Sequence, residues 1–250
     1  MLPCAWNPWW AHRGEPGASS AAWLSGRYRG PWGTLSGDVT MYYHLLPFLE
    51  QNAMYQAGSG QQLFSYVSGT RIWTIKLKTF KAPNDPSPRD DMDLAYSWLE
   101  SGATTQWACT SYGINYQVFG VRGGNAWDAD QWGTTLKIDT IPDGSSNTIF
   151  LAEKLMYCQA SGNRGNLMLH GGWDPQLGPY FAGISGATAK FQTGVTQQNC
   201  NHTLAHAYGA SGLQVAMGDG SVRSVSAGVS NATWANAVDP MDGLVLGSDW

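Results

Sequence analysis

The sequence predicts an α+β fold, β-dominated and mostly antiparallel, with long loops. One stretch spaces its apolar residues as a helix does, and several short stretches alternate as half-buried strands do. The 31 glycines and 12 prolines among 250 residues divide the chain into short elements. At 27.1 kDa it is long enough to bury a core of its own. The expected organisation is an irregular segment over 1–38 and one globular unit over 39–250.

The first element lies in 38–56, where Met41, Leu45, Leu46, Leu49 and Tyr55 follow near-helical spacing. Asp38 or Thr40 would cap it, Pro47 must start a new turn or kink the old one, and Gly58-Ser59-Gly60 ends the unit. Arg71 to Phe80 alternates and predicts a half-buried strand. Ala82 to Pro88 is a rigid turn, because proline fixes φ and Asn and Asp bond their own backbone. Residues 89–110 show no clear period. Tyr112 to Gly120 and Leu136 to Ile141 predict further strands. Ile141 to Thr148 reads as a turn feeding Ile149–Glu153, whose β-branched and aromatic content favours a strand over a short helix. Residues 158–190 are Gly-rich and aperiodic, with Trp173 and Tyr180 expected exposed or half-buried. Leu213–Met217 and Ser221–Val225 alternate, joined by Gly218-Asp219-Gly220, a hairpin signature. A helix over Asn231–Val238, capped by Ser230 or Asn231, follows.

Composition narrows the function classes. Charged residues make up 13% of the chain, about half the usual ~25%. A net charge of −4 leaves no surplus for neutralising phosphates, which argues against nucleic acid. No apolar run reaches the ~18–20 residues of a membrane span, and no heptad or longer repeat suggests a coiled coil or solenoid. Cys4, Cys109, Cys158 and Cys200 are too widely spaced for a CxxC pair, and four cysteines permit three pairings. Free buried thiols are the alternative. Few lysines with abundant Trp, Tyr and Gly suit an exported chain, where disulfides persist. The sequons at Asn201 and Asn231 matter only in a glycosylating host.

Catalytic signatures are sparse. His202 and His206 have the i, i+4 spacing that suits a metal on a helix, but no acidic residue stands at the HExxH position, so one surface and one packed histidine is the simpler account. Ser211 in Gly209-Ala210-Ser211-Gly212-Leu213 falls one residue short of a nucleophile elbow. No phosphate-cradling glycine motif occurs. Asp128-Ala129-Asp130, Asp143-Gly144, Asp219-Gly220 and Asp239 to Gly243 offer loop oxygens that calcium accepts, none in a twelve-residue calcium loop. Asp219 and Asp143 are the ligands calcium would take, although Asp-Gly in a turn is more often backbone geometry. A carboxylate pair for glycoside cleavage is set by distance in space, which spacing does not reveal. The 13 tryptophans either fill a loop-rich core or stack on sugar rings.

Five segments in order carry a resemblance. His44 to Tyr55 is similar to an "LLPyiEQ…lY" segment, and Lys78 to Pro86 to "kTFxCPsDp", with Ala82 in place of the cysteine. Ile141 to Ile149 with Glu153-Lys154 is similar to "isDGtSNTi…aEk", and Met217 to Arg223 to the "aDGSVr" of the H-X9-DG signature. Thr233-Trp234 and Gly243 to Trp250 resemble the close "tW…ggevlGsDw". Together, from about residue 38 to the end, they resemble the DUF1559 proteins, prepilin-like proteins of planctomycete-type bacteria. The H-X9-DG histidine would fall at position 209, which is Gly209, with His206 three residues early. A second cysteine of the family is replaced at Val238. The family opens with a basic leader, a Gly-Phe cleavage point and a long apolar helix. No such run occurs in 1–38, so the expectation is a head without its anchor, through truncation or a displaced start.

The resemblance implies a non-enzymatic, pilin- or pseudopilin-like head in a type II secretion or type IV pilus-like assembly. Its partners would be other pilin-like subunits, its location the periplasm or cell surface, and its membrane contact the missing helix alone. No cofactor is expected, calcium being the one metal the aspartates suit. The alternative is a secreted carbohydrate-binding module using exposed tryptophans such as Trp127 and Trp173. A hydrolase has only the unspaced carboxylates behind it.

Overall fold

The helical stretch forms in three pieces in the computed structural model, which describes residues 40–58, 66–95, 104–127, 134, 136–169, 175–210 and 212–250. The segment 1–38, Trp173, His170 and Asp128-Ala129-Asp130 lie outside those residues. Helix α1 (Met41–Leu45) passes into a 3-10 turn over Leu46–Leu49, and α2 (Asn52–Gly58) follows. Pro47 lacks the N–H that an α-helix would use there, so it opens the tighter turn. Glu50, at φ 60, ends that turn. Thr40 precedes α1 but caps nothing, because its hydroxyl donates to the Met168 carbonyl.

Beyond the short hairpin of β1 (Tyr66–Val67) and β2 (Thr70–Arg71), the strand expected over 71–80 is absent. The chain makes two 3-10 turns instead, Ile72–Thr74 and Lys78–Phe80. Successive strand residues point to opposite faces, yet Ile72 and Trp73 are both fully buried. A turn puts both in one core, where Trp73 stacks on Trp107 with ring centroids 4.9 Å apart. The aperiodic 89–110 region holds an antiparallel hairpin, β3 (Asp91–Ala95) and β4 (Thr104–Ala108).

The strand expected over 112–120 is cut in half. After β5 (Tyr112–Asn115), the Asn115 side chain accepts from the Gln117 N–H at 3.0 Å and starts the helical turn α3 (Tyr116–Phe119). Ile138–Thr140 is likewise a 3-10 turn where a strand was expected, and its residues are all exposed. Strand β6 (Ile149–Glu153) forms as expected. Within 158–190 lie parts of three two-residue strands, β7 (Tyr157–Cys158), β8 (Arg164–Gly165) and β9 (Tyr180–Phe181). Tyr180 is buried, contrary to expectation, against Tyr116 and beneath Lys154. The hairpin β10 (Leu213–Met217) and β11 (Val222–Val225) is in place, and Ser230 caps α4 (Asn231–Val238) by accepting from the Thr233 N–H at 3.2 Å.

The main sheet has the order β11-β10-β6-β5-β9, antiparallel except where β5 meets β9. A register shift between Ala216 and Met217 bulges the β6–β10 pair. It lets Ile149 and Ala152 enter one core while Phe150 and Leu151 meet the other. One core gathers Tyr42, Tyr43, Trp73, Trp107 and Ile114 with α1 and α2; the second gathers Phe181, Leu213, Val215 and Trp234 with α4. The α+β, mostly antiparallel expectation holds.

A disulfide joins Cys158 to Cys200, Cys109 is a buried free thiol, and Cys4 lies outside the described residues. Burial pushes the Cys109 thiol well above its usual range.

The hairpin loop is a turn over Met217–Gly220, closed by the Gly220 N–H to the Met217 carbonyl at 3.0 Å, with Gly220 at φ 86. Asp219 accepts from the Ser221 N–H at 2.8 Å. Gly220→Ala should therefore lower stability by about 1 kcal/mol from left-handed strain, and Asp219→Ala should lower it by loss of the turn bond, both read from urea midpoints. Replacing Cys158 and Cys200 by alanine should cost about 4 kcal/mol by loop entropy for a separation of 42 residues, read as a fall in Tm.

Candidate functional site

The motif segments place their polar side chains on the chain's own backbone. Asp85 accepts from the Ser87 N–H at 2.8 Å, the Ser111 hydroxyl at 2.7 Å and the Met156 N–H at 3.0 Å. Asp143 accepts from the Asp242 and Gly243 N–H groups at 2.8 and 2.9 Å, pinning the C-terminal loop. Asn147 and Thr148 donate back to the Asp143 and Gly144 carbonyls. Asp249 accepts from the Ser230 N–H at 2.7 Å and from the Thr233 hydroxyl, clasping the start of α4, and Trp250 packs beside it on the second core. Those bonds hold the Asp249 carboxyl below its usual range.

The densest polar group sits where β6 ends. Lys154 is 4% exposed, lies against Gly113, and donates to the Tyr180 carbonyl at 2.5 Å. It forms no ion pair among the described residues, and burial lowers its pKa from 10.5 to about 7. The Tyr208 hydroxyl lies 2.7 Å from the Lys154 carbonyl and 2.8 Å from that of Ser111, sharing its proton between them. His206 is fully buried. Its Nδ1 accepts from the Leu155 N–H at 3.0 Å, which leaves Nε2–H to donate to the Asn201 carbonyl at 2.9 Å. Burial lowers the His206 pKa from 6.5 to about 3. Glu153 accepts from the Gln214 N–H at 3.1 Å, and burial raises its carboxyl.

His202 and His206 do not share a helix, since residues 201–206 form loop. His206 is the packed member. The His202 ring is partly covered, with neither nitrogen hydrogen-bonded, and burial beside Lys154 and Arg164 lowers its pKa to about 4. Position 209 is exposed, bridging Gly212, so His206 contacts β6 from a different place.

The calcium candidates are occupied by backbone. Asp143 uses both oxygens on the C-terminal loop, and Asp219 is an exposed turn residue whose carboxyl is lowered by its bonds to Ser221. Among the described residues no group of three His, Cys, Asp or Glu side chains is arranged to hold a metal.

Of the tryptophans, Trp73, Trp107 and Trp234 are fully buried, while Trp127 is 50% exposed. Spacing pointed to neither Tyr208 nor Asn115; the His202/His206 pair and a lysine closing an apolar strand, as Lys154 does, are the signals that mark this region in sequence. Because Lys154 is neutral in the fold above about pH 7 but charged in the unfolded chain up to 10.5, the unfolded state binds the extra proton. Stability should therefore climb between pH 7 and about 9. Lys154→Met should remove that climb in urea unfolding run across the range.

No helix among the described residues is long and apolar enough to cross a membrane. No curated protein and no solved structure matches the chain. A family model labelled SBP_bac_10 and described as a protein of unknown function (DUF1559) matches residues 8–230, starting ahead of the first of the five segments and ending within the helical cap of α4. With so much of its length matched and the five segments in order, the chain belongs to the DUF1559 family.

Proposed function

We propose that this chain is the globular head of a non-enzymatic, pilin- or pseudopilin-like subunit that is exported and assembles with similar subunits in a type II secretion or type IV pilus-like system. The observation that carries it is the use of the motif side chains. Asp85, Asp143, Asn147, Lys154 and Asp249 all bond the chain's own backbone, as parts that preserve a shape do. A subunit whose task is to present a surface needs a rigid head and no reacting group. Low charge suits a surface that packs against others, since charged residues are depleted at interface cores. Val245, Val222 and Phe48 are large apolar side chains left in solvent. The Cys158–Cys200 disulfide supports export, because such bonds persist in oxidising compartments.

The glycan-binding alternative rests on Trp127, the one described tryptophan with a widely exposed ring. Flat sugar recognition gains from several stacked faces, and among the described residues Trp73, Trp107 and Trp234 fill the cores.

The decisive experiment is immunogold labelling of fibres sheared from the producing bacterium, with in-cell thiol trapping of Cys158 and Cys200. Label along fibres and oxidised cysteines are expected. Reduced cysteines in a cytosolic chain would end the proposal, and retention on a glycan gel that Trp127→Ala abolishes would favour the alternative.

A further inference from the structure

One buried contact works in a single protonation state. The segment from Asn201 to Ala207 is tied to the chain at the end of β6 by two bonds, beside its backbone pairing with Gln192, whose N–H donates to the Ala205 carbonyl at 3.0 Å and whose carbonyl accepts from the Ala207 N–H at 2.8 Å. The His206 N–H donates to the Glu153 carbonyl at 2.8 Å, and the Leu155 N–H donates to His206 Nδ1 at 3.0 Å. His206 Nε2–H in turn donates to the Asn201 carbonyl at 2.9 Å, fixing the loop's curvature. Nδ1 must carry a lone pair for this arrangement to exist. A proton there would set a donor against a donor, and the buried Leu155 N–H would lose its acceptor.

The surroundings offer nothing to stabilise an imidazolium. From the end of β6 come the Lys154 ammonium and Glu153, from β8 comes Arg164, from the loop itself His202 and Tyr208, and from the turn before β3 Asp85. Both carboxylates are engaged elsewhere, Glu153 with the Gln214 N–H and Asp85 with Ser87, Ser111 and Met156. Lys154 and His202 both oppose a positive charge at His206. The Cys158–Cys200 disulfide anchors the residue just ahead of the loop, so release would leave it tethered.

We propose that the Asn201–Ala207 segment is a proton-operated latch: His206 holds it on the end of β6 only while Nδ1 is unprotonated, and uptake of one proton from acidic solvent frees it. The proton comes from water and bonds to the Nδ1 lone pair; no other bond is made or broken besides the hydrogen bonds. Opening uncovers the Glu153 carbonyl and the Leu155 N–H, backbone groups able to pair with another strand. The sign follows from the closed state holding His206 neutral down to about pH 3 while the open segment protonates near 6.5. Opening is therefore favoured as pH falls below 6.5, about tenfold for each unit.

Hydrogen-exchange protection factors of the intact protein between pH 7 and about 4.5 test this. The amides of Leu155 and His206 report the latch, and those of the β10–β11 hairpin serve as the reference. Latch protection should fall by roughly a hundredfold over the two units below 6.5 while the hairpin holds. His206→Gln, whose amide can accept from Leu155 and donate to Asn201 without titrating, should flatten the fall. His202→Gln, whose ring nitrogens hold nothing, should leave it in place. Latch protection constant to pH 4.5, or lost together with the hairpin, overturns the proposal. So does an equal fall in His206→Gln, or its disappearance in His202→Gln. Should the His206→Gln variant not fold, the contrast between latch and hairpin in the unaltered protein decides alone.

Discussion

A buried N–H or carbonyl without a partner costs about 1–3 kcal/mol, and this chain has little regular structure with which to pair them. The strands among the described residues are all two to five residues long. Side chains take over the work that ladders do elsewhere. Asn115 donates to the Ile149 and Val238 carbonyls at 2.7 Å each, joining β5, β6 and the end of α4. Asn166 donates to the carbonyls of Thr110 and Tyr112, and Gln117 to that of Ala182 while accepting from the Gly123 N–H. Losing any of these exposes two segments at once, which is why the loops can be long and still be fixed.

The same constraint explains the family segments. A pattern of Asp-Gly, Asn-Thr and Gly-Ser-Asp-Trp has the look of a site, because those residues ligate and catalyse elsewhere. Here Asp143 holds the loop at Gly243, and Asp249 holds the start of α4. Asp143 and Asp249 bridge distant backbone, while Asn147, Thr148 and Asp219 tie their own turns. Lys154 extends the pattern, since its ammonium reaches across Gly113 to the Tyr180 carbonyl at the parallel edge of the sheet. His206 differs from the rest in that its bond depends on a titratable lone pair.

Where local chemistry was sufficient, the sequence was legible. The β10–β11 hairpin needed only alternation and a glycine that accepts φ 86, and α4 needed only Ser230 ahead of its first turn. Where a residue's partner is distant, it was not. Alternation over 71–80 mimics a strand, but the partner of Trp73 is Trp107, and stacking on it demands a turn. The Tyr112–Gly120 pattern continues past Asn115, yet the Asn115 side chain bends the backbone there while bridging to Ile149 and Val238. The helical spacing over 38–56 was right in kind, and Pro47 divided it as proline must.

By itself the sequence determined the α+β class, the central strand, the closing hairpin and helix, and the family, because periodicity, turn chemistry and ordered motifs are all written within a few residues of one another. Tertiary structure alone decided which cysteines pair, that Asp143 and Asp219 bond backbone groups, and that the His206 ring is buried against the end of β6 in the field of Lys154. Those outcomes depend on which groups share a buried space and must satisfy one another there, and residues separated by tens of positions leave no local trace of that obligation.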